Sequence, residues 1–199
     1  MAGILSGALI TAWCAGFGLL TGEVGWLLLG LAVGLCLSAV YGWAVAVAPV
    51  YDLRSSRGVV AFVVDHTWSL PNTLVGAVFL AVSVAFGNRL DRGFSGHIGL
   101  RSPAIPGYAG TTIGPVQAGT GTGVDRHEAV HVLQARLFGP LYLPLVGLNY
   151  AVATALPYWW FYHDHAARPI RGIRAYFTRG VYPHTWHEEW AYRVEGTPP

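Results

Sequence analysis

Residues 26–50 read WLLLGLAVGLCLSAVYGWAVAVAPV. The run carries no charge and exceeds the roughly 20 helical residues that cross a hydrocarbon core of about 30 Å. Residues 3–20 form a second uncharged run, set off by the short polar break Thr21-Gly22-Glu23-Val24-Gly25. Two such runs predict a transmembrane helical hairpin over residues 1–51. Gly16 and Gly18 on one helix and Gly30 and Gly34 on the other offer small faces for close contact. No positively charged region opens the first run and no cleavage site precedes Glu23, so the first helix is expected to be retained rather than removed as a signal peptide.

The rest of the composition agrees. Charged residues make up 11% of the chain, against about 25% in ordinary globular proteins, and hydrophobic residues 53%. Mean hydropathy is +0.45. All basic residues are arginine, and the net charge of +2 is too small to suit a nucleic-acid partner. Eight Trp and ten Tyr suit a membrane interface. Cys14 and Cys36 lie in apolar runs and read as small buried hydrophobes. The lipid bilayer is therefore an expected partner, with the oligomeric state left open. The arginines are spread too evenly to orient the chain.

Residues 52–199 predict a membrane-associated domain with further apolar helices at about 70–87 and 141–162. That makes about four transmembrane or interfacial helices in a mainly α chain. Between them, residues 88–126 are rich in Gly, Thr, Ser and Pro. Short alternating pieces at His97–Leu100 and Thr111–Val116 predict a small β-hairpin. The loop Gly119-Thr120-Gly121-Thr122-Gly123 lacks the Lys-Ser/Thr end of a phosphate-binding loop. Asp125 is a candidate N-cap for the following helix.

That helix carries His127-Glu128-Ala129-Val130-His131, the pattern H-E-x-x-H. Residues four apart share a helix face, with Cβ atoms about 5–6 Å apart. His127 and His131 can therefore hold one metal ion together, and Glu128 is placed as a general base toward a water on that metal. A catalytic zinc takes three protein ligands. Candidates for the third are His163, Asp164, His165, His184, His187, Glu188 and Glu189. Glu188-Glu189-Trp190-Ala191 has helical spacing, and a small Ala at i+3 from Glu188 would permit close approach to the motif helix. Glu188 is the leading candidate, ahead of Glu189 and the histidines.

With these residues in place, the chain resembles the zincin-like metallopeptidases, and a downstream helical Glu makes it similar to the gluzincins. It is more closely similar to a group of small, uncharacterised bacterial integral-membrane HExxH proteins. These pair H-E-x-x-H-x-x-Q with G-P-L-Y-L and a late E-x-W-A, here His127–Gln134, Gly139–Leu143 and Glu188–Ala191. Trp68-Ser69-Leu70-Pro71-Asn72-Thr73 is similar to a further segment of that group. The resemblance covers roughly residues 65–195. It implies Zn²⁺ held by His127, His131 and Glu188, with Glu128 as catalytic base, in a zincin-like domain of a bacterial plasma-membrane protein. Tyr192 stands where many gluzincins carry the acidic residue that orients a ligand histidine. Asp164 or Asp65 would have to substitute.

The expected activity is peptide-bond hydrolysis by an integral-membrane zinc metallopeptidase acting on a peptide or membrane-protein substrate. Residues 110–118 are a candidate sheet edge for the substrate. Tyr182, His184 and His187 are candidate transition-state stabilisers. No Asn-Pro-Asp-Gly segment is present, which argues against a site-2-type protease. The alternative is a non-catalytic membrane accessory protein with a structural or vestigial metal site.

Overall fold

The computed structural model describes residues 1–197. Its helices are α1 (Ala2–Leu19), α2 (Val24–Val47), α3 (Ser56–His66), α4 (Leu70–Ala85), α5 (Asp125–Phe138), α6 (Tyr142–Ala155), α7 (Gly172–Ala175) and α8 (Trp186–Glu195). Strands β1 (Ile98–Leu100), β2 (Thr111–Ile113) and β3 (Val116–Ala118) form a single small sheet. The fold is mainly helical, as the composition predicts.

Helices α1 and α2 form the hairpin. A β-carbon at Gly18 would strike the backbone of Trp26, and one at Gly30 the carbonyl of Cys14. Gly34 lies against Thr11, whereas Gly16 meets no neighbour. Thr11 and Ser38 hydroxyls bond across the interface at 2.6 Å, and Ser38 donates to the Gly7 carbonyl at 2.7 Å. The outward face keeps Ile4, Phe17, Leu28, Leu29 and Leu35 exposed. Apolar side chains all round a helix suit lipid rather than water.

Three stretches are long and apolar enough to cross a membrane: α1, α2 and Asp125–Ala155. A fourth exists if α3 and α4, bent by 86° at a short break, count as one span. The expected apolar helix at 70–87 is α4. The expected segment at 141–162 needs correction. Helix α6 ends at Ala155, and its apolar length comes from continuity with α5 through the tight turn Gly139–Leu141. Pro140 does not break the path, because it sits in the first turn of the next helical piece, where its missing N–H costs nothing. Leu133, Leu137, Leu141, Leu145, Leu148 and Val152 form one exposed stripe along the joined stretch.

The sheet has order β1-β3-β2, with β3 parallel to β1 and antiparallel to β2. Thr111–Val116 is thus the hairpin itself, turning at Gly114-Pro115, and His97–Leu100 supplies a third strand. Buried β3 carries Gln117, which pairs with His97 at 2.8 Å and donates to Asp125 at 2.7 Å. Asp125 is the first residue of α5 rather than its N-cap; its carboxylate accepts the Gly121 N–H.

Two polar clusters fasten α5. At its C-terminal end, Trp68 Nε1 donates to Leu137 O (3.2 Å), Ser69 Oγ to Ala135 O (2.9 Å) and Asn72 Nδ2 to Gly139 O (2.7 Å). The Ala135 and Gly139 carbonyls also accept backbone N–H groups, from Gly139 and Tyr142, so these side chains add second bonds that fix the turn at the end of α5. Gly139 (φ 53°) is pressed against the Trp68 indole, which a β-carbon there would strike. The second cluster centres on Asp65, 1% exposed, which receives Arg136 through two bonds of 2.9 and 2.7 Å and the Tyr51 hydroxyl at 2.8 Å. Tyr41 of α2 bonds Tyr51 at 3.0 Å, so the network ties the hairpin to α5. Removing one partner of a buried ion pair strands a charge at a cost of about 3–5 kcal/mol. Arg136→Met should therefore lower the apparent Tm markedly in detergent, and adding Asp65→Leu should recover much of the loss. Equal stability of Arg136→Met and the wild type would show that the pair is dispensable.

Candidate metal centre

Helix α5 carries His127, Glu128 and His131, all buried; the two histidines meet Glu188 of α8, while Glu128 packs against Gly110. His127 and His131 stack edge to face, with ring centroids 5.0 Å apart. From α8, Glu188 reaches between them. Its Oε2 lies 3.0 Å from His127 Nε2 and its Oε1 3.6 Å from His131 Nε2. One ligand atom from each residue falls within 4.8 Å of the others. A tetrahedral ion with bonds of about 2.0–2.1 Å sets neighbouring donor atoms about 3.3 Å apart, so the two observed separations bracket that value.

The imidazoles are held from behind. His127 Nδ1 faces Glu195 Oε2 at 3.3 Å, and His131 Nδ1 faces Gln134 Oε1 at 3.0 Å. Gln134 is oriented in turn, because its Nε2 donates to the His187 carbonyl at 2.9 Å and Tyr142 donates to its Oε1 at 3.2 Å. With both Nδ1–H groups donated outward, both Nε2 lone pairs converge on a carboxylate. Lone pairs and a carboxylate repel unless a cation stands between them, and this donor set therefore fits a divalent metal. Among metals, imidazole with carboxylate suits zinc well without excluding its neighbours in the series.

The open choice of third ligand is met geometrically by Glu188. Glu189 turns away, taking the Tyr162 hydroxyl at 3.2 Å and Arg193 at 3.3 Å. His163 bonds the Arg168 carbonyl, His165 the Trp160 carbonyl, and Asp164 accepts the N–H groups of Ala166 and Ala167. None of the three joins the cluster. His184 is spent on the Gly180 carbonyl and stacks on Trp159. His187 lies nearer, with Nε2 3.6 Å from Glu188 Oε1, and burial pushes it down to about 4, so it is neutral at pH 7.

Neither Asp65 nor Asp164 orients a ligand. Glu195 fills that place, while Tyr192 packs its ring on His127 at 4.6 Å. Glu195 was findable: it lies seven residues, about two turns, beyond Glu188 and so shares its face. Partners of this kind are typically worth 10–100-fold in metal affinity. Glu195→Ala should weaken binding by that factor in a chelator competition while leaving about one metal per chain at saturation. Unchanged affinity would remove Glu195 from the site.

Beside the ligands, Glu128 Oε2 is buried without a hydrogen-bond partner. Gly110 is packed so closely on this carboxylate that a β-carbon there would overlap it. His127 and Glu128 open onto a cavity of about 820 Å³ whose walls include Tyr108, Gly110 and Tyr182. Strand β2 is the free edge of the sheet beside α5. Comparisons with protein families, curated proteins and solved structures found no match to this chain.

Proposed function

We propose that the protein is an integral-membrane zinc metallopeptidase, of gluzincin-like type, that hydrolyses peptide bonds at the membrane surface. The observation that carries this reading is the pairing of a three-donor cluster with a buried glutamate that lines a cavity and keeps one oxygen unpartnered. A structural metal has no use for such a base. The resemblance of the motif segments to bacterial membrane HExxH proteins supports a bacterial plasma-membrane setting.

His127, His131 and Glu188 would hold the zinc, which supplies Lewis acidity toward the scissile carbonyl and the attacking water. Glu128 accepts a proton from that water and returns it to the leaving amine nitrogen. Its Oε2, which has no hydrogen-bond partner, is the oxygen free to take that proton. Tyr182 lines the same cavity, and burial raises its phenol well above its ordinary value, so it stays a donor for the carbonyl oxygen as charge develops. The β2 edge offers main-chain groups to an extended substrate.

A closed structural site is the second reading, and His187 favours it as a fourth ligand. The two are separated by metal content and turnover in detergent-purified protein. About one zinc per chain, retained in His187→Ala, with cleavage of a mixed peptide library that stops on chelation, is expected. One zinc that is lost in His187→Ala, with no cleavage, would replace the enzyme with a structural centre.

A further inference from the structure

The cavity in front of His127 and Glu128 has an unusual opposite wall. Arg168, Arg171, Arg174 and Arg179, four of the chain's twelve basic residues, line it. They come from one short segment through α7. Among the described residues, arginine ion pairs occur at Arg136–Asp65 and Arg193–Glu189, and none involves these four. Arg179 donates only to the Pro169 carbonyl. Of the acids that line the cavity, Glu195 takes His127 and the Thr197 hydroxyl, and Glu128 is buried beneath Gly110. Ile173 and Phe177 belong to the same segment but do not line the cavity and remain exposed. The guanidinium groups thus share the substrate space, while the apolar side chains face outward. All four arginines are exposed, and positive charge gathered along a cleft concentrates ligands of opposite sign. Guanidinium also matches carboxylate geometry with two parallel bonds.

We infer that the arginine wall selects substrates by their carboxylates, making the cavity specific for acidic peptides. This rests on the peptidase reading above. The carboxylate can belong to Asp and Glu side chains or to a free C-terminus.

The test uses the full zinc-loaded chain in detergent, carrying Glu128→Gln so that binding is seen without turnover. Fluorescein-labelled peptides of equal length, rich in Glu, Gln or Lys and each with a free or amidated C-terminus, are titrated by anisotropy. Glu peptides are expected to bind at least about tenfold more tightly than Gln peptides, with Lys peptides weakest and the advantage shrinking as salt rises. Persistence of the advantage after amidation assigns it to side chains, and its disappearance to the terminus. Arg171→Ala with Arg174→Ala should remove most of the preference without altering zinc content. Lysine at both positions should keep part of it, and Arg101→Ala, remote from the cavity, should keep all of it. Equal affinity for the three compositions, or a preference unmoved in the double alanine variant, overturns the inference. A double variant that instead loses only its binding to anionic phospholipid vesicles also overturns it. Cleavage of peptides by the wild type without regard to charge would leave the peptidase standing and sink the selectivity. Tight binding of acidic peptides with no cleavage would do the reverse.

Discussion

Glu128→Gln is expected to lower kcat/KM for peptide cleavage by about 10²–10⁴-fold, the range that a positioned general base contributes. The replacement keeps the shape and volume of the side chain but cannot take a proton. Glu128 is not among the donor atoms that converge between α5 and α8, so metal content should stay at about one per chain. Its outer oxygen has no partner to lose, so folding should suffer little. The pair of readouts is what makes the expectation sharp. A variant that turns over like the wild type removes Glu128 from the chemistry. A variant that loses its metal shows that Glu128 is a ligand, and the site would then need a different base.

Glu188→Ala should act the other way, by emptying the site. Loss of the carboxylate leaves two imidazoles, one short of the three ligands of a catalytic zinc. Affinity should fall by more than the 10–100-fold expected for an outer partner such as Glu195. Heating in the presence of metal gives an independent measure. A ligand that binds only the folded state stabilises by about 2.7 kcal/mol at a hundred times its Kd. Added zinc should thus raise the apparent Tm of the wild type and leave that of Glu188→Ala unmoved. A variant that still binds one zinc with unchanged affinity would make Glu189 or His187 the third ligand, against the geometry of both.

The centre of the site was legible because it obeys local rules. Two histidines four apart on a helix must face one way, and a glutamate with a small residue at i+3 marks a second helix that can come close. The apolar runs were equally plain, since length and absence of charge identify a span without reference to anything else in the chain. What was not legible depends on tertiary contact. Glu195 shares a helix face with Glu188, but only the fold carries it to His127. The arginine segment likewise reaches the cavity of Glu128 only through the fold. Trp68, Ser69 and Asn72 stood out only by resemblance. Their reason is physical: they cap a helix more than sixty residues away in sequence. The parallel pairing of β1 with β3 is likewise a long-range choice that three-residue strands cannot announce.

The exposed stripe from Leu133 to Val152 has a consequence of its own. At 1.5 Å per residue those positions cover about 29 Å, close to the roughly 30 Å depth of a hydrocarbon core. The stripe is a ruler, and its zero mark lies two residues after His131. A helix that sinks or rises until this ruler matches the bilayer brings the histidines to rest at the oil–water boundary. There a polar chain can arrive from the aqueous side without entering lipid, and a bilayer thinner or thicker by one helical turn would move the whole centre with it.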